Sequence, residues 1–206
     1  MRSPNPKLKG LILAGGFARR FGGGKCQAIL ASKPLISWVF EALKPFCNQI
    51  GLSIRPEMKP EHFGIHFDFI VYDEYPGAGP AAAINSALKK QKGVLLVTPC
   101  DQPFLIPNLL ENLKINFFKG GSLNALAFSD EKGRLLPFPG IYREPLCFAS
   151  SLKEIFERCR SQTIPPEIWR NWDPLGLSFF NVNRKEDLEK AAELFKLYQE
   201  LCRRSN

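Results

Sequence analysis

No stretch of the 206 residues approaches ~18 consecutive apolar positions, so no membrane-spanning helix is expected. Histidine is scarce. His62 and His66 are the only two, and neither stands in a metal-ligand spacing or a Ser/His/Asp arrangement, so both are read as surface or packing residues. No two of the six cysteines, at positions 26, 47, 100, 147, 159 and 202, form a C-x-x-C pair. Neither a zinc site nor a thioredoxin-type motif is signalled, and their apolar or helical neighbours lead to the expectation of buried free thiols in a reducing compartment. Long basic runs are also missing. The densest clusters are Arg19–Arg20 and Arg203–Arg204, with no zinc-finger spacing and no RNP-like motif, so no nucleic-acid partner is expected. The basic opening stretch is broken by Pro4 and Pro6, and Gly10–Gly16 is too short and glycine-rich for the apolar region of a signal peptide. The expected location is cytoplasmic, away from membranes.

Hydrophobic residues make up 45% of the chain and charged residues 23%, which excludes disorder as the dominant state. The length suits one domain, residues 1–206. A formal net charge of +8 favours anionic partners, among them phosphate-bearing small molecules.

Apolar runs alternate with helical periodicity along most of the chain. Leu8–Ala14, Ile50–Ile54, Phe67–Tyr72 and Val94–Val97 read as strands apolar on both faces, as a sheet covered by helices on each side requires. Between and after them, helices are expected over Pro34–Phe46, Ala81–Lys90 and Ile106–Phe117. The pattern predicts a three-layer α/β/α, Rossmann-like domain with a mainly parallel mixed sheet. Further strands are expected at Asn124–Phe128, Leu136–Tyr142 and Leu177–Val182. Pro137 and Pro139 mark the middle one as an edge or bent strand. A last amphipathic helix over Lys185–Cys202 places Leu188, Ala191, Phe195, Tyr198 and Cys202 on one face.

The segment L-A-G-G-F-A-R-R-F-G-G-G-K, Leu13–Lys25, follows the first strand, where open α/β sheets place their ligands. Five glycines let backbone N–H groups approach an anion, and Arg19, Arg20 and Lys25 add three positive charges. The spacing is not the G-x-G-x-x-G of a dinucleotide fold. Nor is it a Walker A loop, because Lys25 is followed by Cys26 rather than a hydroxyl residue. A polyphosphate-binding loop is expected. Asp101, after the strand Val94–Val97, can hold Mg²⁺ against phosphates or serve as a helix N-cap.

L-A-G-G-x-x-x-R-x-G-x-x-K resembles the signature loop of nucleotidyltransferases that activate sugars, terpenoid precursors and the molybdenum cofactor. Three further segments are similar to those of the molybdenum cofactor guanylyltransferases, the MobA-like proteins. They are Asp73-Glu74-Tyr75-Pro76-Gly77-Ala78-Gly79-Pro80, Thr98-Pro99-Cys100-Asp101-Gln102-Pro103-Phe104, and Phe180-Asn181-Val182-Asn183 followed by Glu186-Asp187-Leu188. The four stand in the family's order between about residues 8 and 195.

The resemblance implies roles. Lys25 would neutralise charge on the α- and β-phosphates, Arg20 would fill the loop's arginine position as a phosphate clamp, and Asp101 would hold Mg²⁺. Leu13, Ala14, Gly15 and Gly16 would line the nucleotide site, with backbone contacts from the first three to the guanine edge. Asp73 would contact base or ribose, and Ser53, where relatives often carry asparagine, would donate one hydrogen bond to the nucleotide. Asn181 and Asn183, expected on one face of a strand, would read a pterin acceptor, although Asn183 also suits a strand-end turn. The sequence departs from the pattern at Gly24, usually Asp, at Cys26-Gln27, and at Arg184-Lys185, usually Thr-Pro. The implied reaction is guanylyl transfer from Mg·GTP to the terminal phosphate of molybdopterin, releasing pyrophosphate. The attacking group is already anionic, so no strong general base is needed. Cytidylyl transfer from CTP, another phosphorylated acceptor, or a non-catalytic nucleotide-binding role are the alternatives. Molybdenum cofactor biosynthesis or acceptor proteins are the implied protein partners.

Overall fold

The structure, a computed structural model, describes residues 8–17, 20–74, 77–146 and 149–204. Its elements run β1 (Lys9–Leu13), a 3-10 turn at Lys25–Gln27, a small hairpin of β2 (Ile29–Leu30) and β3 (Lys33–Pro34), α1 (Leu35–Leu43), β4 (Gln49–Ile54), a 3-10 turn at Pro60–Phe63, β5 (Phe69–Tyr72), α2 (Pro80–Gln91), β6 (Val94–Pro99) and α3 (Pro107–Lys119). There follow β7 (Ala125–Ser129), β8 (Leu135–Arg143), α4 (Leu152–Arg158), β9 (Ser161–Ile164), α5 (Pro166–Trp169), a 3-10 turn at Leu177–Phe179 and α6 (Lys185–Arg204).

Seven strands form one sheet in the order β5-β4-β1-β6-β8-β7-β9. The first four are mutually parallel, β8 is antiparallel to β6 and β7, and β9 is parallel to β7. Successive strand residues point to opposite faces, and both faces are covered. Ile12 and Leu96 join one buried cluster with Leu35, Val39, Leu110 and Ala191, from α1, α3 and α6. Leu11, Leu95 and Val97 join another with Ile84, Ala87 and Ile155, from α2 and α4. The expected three-layer mixed sheet is the observed one. The amphipathic face of α6 is also as expected, with Ala191 and Tyr198 buried and Leu188, Phe195 and Cys202 packed against the core.

One expectation fails and another is narrowed. Of the edge or bent strand expected around Pro137 and Pro139, the edge is excluded: the strand is interior, between β6 and β7, and its pairing shifts register. It is tolerated there because the ladder skips the prolines. β6 pairs with Gly140–Arg143 only, while β7 pairs with Leu135–Leu136 and Ile141–Tyr142 across a register shift. The segment Leu177–Val182 is no strand. Buried Asp173 accepts hydrogen bonds from the backbone N–H groups of Leu177 and Ser178, at 3.1 and 2.8 Å, and winds them into a 3-10 turn. A side-chain carboxylate thereby takes the donors that a sheet neighbour would have used.

Candidate active site

The four parallel strands end together, with Leu13 in register with Ser53 and Pro99, and Ile54 with Tyr72. The residues that follow each strand therefore share the carboxyl edge of the sheet, and a cavity of about 780 Å³ opens there. Leu13, Ala14, Gly15, Gly16, Lys25, Ser53, Asp73, Asp101 and Asn181 all line it, as does the first turn of α2 through Pro80 and Ala83.

On one side lies Lys25. The three glycines before it have φ of +87°, +94° and +62°, and a Cβ at any of them would meet nothing within 4 Å. The demand for glycine is thus conformational rather than steric. At Gly24, φ 62° and ψ 17°, the backbone is left-handed, a conformation that aspartate tolerates better than most residues. The family's usual residue at that place needs no different loop.

The Lys25 ammonium donates to Asp101 Oδ2 and reaches Asn183 Oδ1 at 3.4 Å. Asp101 is 7% exposed, and its backbone oxygen accepts from Val182 N at 2.9 Å, which docks the segment carrying both asparagines. Its Oδ1 is the one buried side-chain N or O among the described residues without a hydrogen-bond partner. A buried, unpartnered carboxylate oxygen on a residue of the cavity wall suits a divalent cation. Among the described residues no group of three or more His, Cys, Asp or Glu gathers for a metal. A cation here would thus take Asp101 and complete its shell with water and phosphate oxygens.

Across the cavity stands Asp73. Ser53, 1% exposed, donates from Oγ to Asp73 Oδ1 at 2.8 Å. The serine proton, expected to serve a ligand, is committed to positioning this carboxylate. Desolvation pushes the Asp73 carboxyl above its ordinary value, outweighing the Ser53 hydrogen bond and the nearby Arg55 charge. Gly15 is pressed against the same group, for a Cβ there would lie 2.3 Å from Asp73 Oδ2. Leu13 and Ala14 extend the sheet, Leu13 O accepting from Cys100 N at 3.0 Å and Ala14 N donating to Ser53 O at 2.8 Å. Those two groups are spent, which narrows the expected backbone contacts to guanine.

Arg20 is exposed and is absent from the cavity lining, so the structure does not bring it to the site. Asn181 and Asn183 do not share a strand face. Asn181 lines the cavity with Nδ2 bonded to Phe179 O at 2.9 Å, whereas Asn183 meets Lys25. The Asn183 N–H donates to Asp187, whose carboxyl that bond holds below its ordinary value. Arg19, Pro76 and Cys147 lie outside the described residues. Both histidines are exposed.

Two features were not read from the sequence. Arg55 follows β4, stacks on the Phe17 ring at 4.4 Å, reaches Gly15 O at 3.5 Å and pairs with Glu57 at 2.6 Å. A cation directly after a parallel strand was the available signal. The second is a disulfide between Cys26 and Cys100, which overturns the expectation of free thiols at those positions. The 3-10 turn at Lys25–Gln27 brings Cys26 against the end of β6, a proximity invisible across a separation of 74 residues. Cys47 and Cys202 remain thiols, and burial pushes the Cys47 thiol up to about 12.

Comparison with known proteins agrees with this geometry. The profile of the MobA-like NTP transferase domain matches residues 10–174. The chain is 27% identical over 202 residues to a probable molybdenum cofactor guanylyltransferase of Chloroflexus aggregans, covering 88% of this chain and 92% of that one. It is 31% identical over 205 residues to a molybdenum cofactor guanylyltransferase of a Bradyrhizobium species, covering 93% and 95%. Among solved structures it is similar to the molybdopterin-guanine dinucleotide biosynthesis protein A of Archaeoglobus fulgidus. There the TM-score is 0.77 at 30% identity, covering 92% of this chain and 99% of that one.

Proposed function

The chain belongs to the MobA-like NTP transferase domain family, and from that premise we propose that it is a molybdenum cofactor guanylyltransferase acting as a single catalytic domain. The terminal phosphate of a molybdopterin-type acceptor attacks the α-phosphorus of GTP. A new P–O bond forms, the bridging bond to the β-phosphate breaks, and pyrophosphate leaves. The observation that carries this reading is the Lys25 ammonium held against Asp101, with one carboxylate oxygen unpartnered, in the wall of a cavity large enough for a nucleotide.

The residues act chiefly by alignment and charge. Lys25 meets negative charge that builds on the phosphates as the bridging bond lengthens. Bound Mg²⁺ at Asp101 would screen the triphosphate against the incoming anion. Backbone N–H groups of the glycine loop would hold the phosphates in line, and the net charge of +8 attracts both polyanions. Asp73 supports guanine over cytosine. A carboxylate accepts only, and the Watson–Crick edge of guanine offers two adjacent donors, N1–H and N2–H₂, whereas that of cytosine sets an acceptor beside its single donor. Asn181, in the cavity lining, would meet an anionic acceptor, and Arg184 and Lys185 follow it three and four positions along the chain. We infer a cytoplasmic location for this reaction, with GTP, the cofactor and cofactor-handling proteins as partners.

The direct test is thermal melting with GTP, CTP, ATP and UTP, each with and without Mg²⁺, followed by pyrophosphate release on adding molybdopterin. GTP with Mg²⁺ at ~100 times its dissociation constant adds about 2.7 kcal/mol, or roughly 5–10 °C for a chain of this size. A shift with CTP in its place would reassign the product, and no shift with any nucleotide would overturn the substrate.

A narrower prediction concerns Gly15→Ala. Its methyl must displace the Asp73 carboxylate or the loop, because the closest approach is 2.3 Å to Oδ2. Losing a hydrogen bond to a charged acceptor costs about 1.5–3 kcal/mol, so GTP affinity is expected to fall about 10–100-fold by calorimetry. Unchanged affinity would remove Asp73 from base reading.

A further inference from the structure

The disulfide joins the immediate neighbours of the two residues that face each other in the site. Cys26 follows Lys25 and Cys100 precedes Asp101, and their Cα atoms are 5.5 Å apart. The two sides differ in how firmly they are held. Cys100 is fixed at the end of β6, its N–H bonded to Leu13 O of β1 at 3.0 Å. Cys26 sits in a short turn behind three glycines in left-handed conformations, with nothing for side chains there to pack against. Both sulfur residues are buried, at 9% and 4% exposure, and both line the cavity that holds Lys25 and Asp101. Cysteine at position 26 is also, with Gly24 and Gln27, one of this chain's departures from the pattern of its loop.

We propose that Cys26 and Cys100 are positioning residues for group transfer, their disulfide holding the Lys25 ammonium against Asp101, and that reduction of this bond slows transfer while leaving nucleotide binding nearly intact. Asp73 and the Gly15–Gly16 backbone lie outside the stapled junction, so affinity is not what the bond chiefly controls. Alignment of Lys25 is, and small misplacements of a charged group cost far more in rate than in binding. The reductant is a dithiol. One of its thiolates attacks a sulfur of the pair, the S–S bond breaks, and its second thiol resolves the mixed disulfide. Two electrons and two protons pass to the protein, leaving thiols at Cys26 and Cys100 and an oxidised, cyclic dithiol. Both cysteines line the nucleotide cavity, so bound Mg·GTP shields the pair. Disulfides in reducing compartments are characteristically transient or redox-sensing, which is consistent with such a device.

The kinetic part rests on the guanylyltransferase reading, and two further readouts do not. The full-length protein is oxidised or treated with dithiothreitol, alkylated, and mapped by mass spectrometry to verify the state of Cys26 and Cys100. Reduction is expected to lower kcat about 10-fold or more, with KM for GTP changed less than about 3-fold, and reoxidation is expected to restore the rate. Cys26→Ala is expected to turn over at the reduced rate in both buffers. Independently of activity, amine labelling of Lys25 is expected to rise several-fold on reduction, and Mg·GTP is expected to slow reduction of the pair. Equal kcat in both verified states would overturn the proposal, as would Lys25 labelling that ignores the redox state. If neither form transfers GMP but labelling still follows the disulfide, the substrate reading fails and the positioning role stands.

Discussion

Replacing Lys25 by alanine is expected to lower GMP transfer about 10²–10³-fold, the range seen when one preorganised donor to a developing oxyanion is removed. It is also expected to weaken the apo protein, which is less obvious for a lysine beside an open cavity. Asp101 is 7% exposed, and its Oδ1 already lacks a hydrogen-bond partner. Lys25 is the donor to Oδ2. Without it a buried carboxylate has both oxygens unsatisfied, at a cost of about 1–3 kcal/mol, or roughly 3–10 °C in melting temperature. Pyrophosphate release and a melting curve on the same preparation check both halves. The Lys25→Ala, Asp101→Asn double variant is expected to regain most of the lost melting temperature and none of the activity, because the amide no longer carries a charge to be stranded. A Lys25→Ala protein that melts like the parent yet is inactive would show that Asp101 relaxes into water unaided.

The contrast between these residues and their surroundings explains what the sequence disclosed. The loop from Leu13 to Lys25 and Asp101 were legible because their chemistry is local: glycines and a cation directly after one buried strand, and a carboxylate after another. The parallel core was legible because β1, β4 and β6 are apolar on both faces. What escaped was mostly non-local. The prolines of β8 argued for an edge or a bend, and the strand order decides for an interior strand whose neighbours omit the prolines from pairing. Leu177 to Val182 read as a strand, but the buried Asp173 carboxylate, four and five residues before Leu177 and Ser178, claims their N–H groups. Ser53 was visible as a pocket residue, but its direction was not. Only the placement of β5 beside β4 aims its hydroxyl at Asp73. The Cys26–Cys100 bond required knowing that the lysine loop folds back onto the end of β6. Apart from the local Asp173 turn, the missing term was in each case a tertiary partner that no short window contains.

Asp101→Asn separates function from stability in the opposite sense to Lys25→Ala. The substitution preserves shape and removes one negative charge. An amide oxygen can still accept from Lys25, and the ammonium, 17% exposed at the cavity wall, can be hydrated. Burying a neutral amide costs less than burying a carboxylate with an orphaned oxygen, which offsets the weaker bond to Lys25. In metal-free buffer the melting temperature is therefore expected to stay within about 3 °C of the parent, a change of ~1 kcal/mol or less. Cation-dependent behaviour should disappear. The extra stabilisation that Mg²⁺ adds to GTP in the parent is expected to vanish, because an amide is a far poorer ligand than a carboxylate for a hard cation. Transfer should fall about 10²–10³-fold, since the charge that separates two polyanions is no longer held in place. Melting curves with GTP alone and with GTP plus Mg²⁺, for both proteins, isolate this term. A retained Mg²⁺ increment in the variant would move the cation away from Asp101. A collapse of the metal-free melting temperature would instead make the aspartate a structural residue, one whose unpartnered oxygen serves the fold.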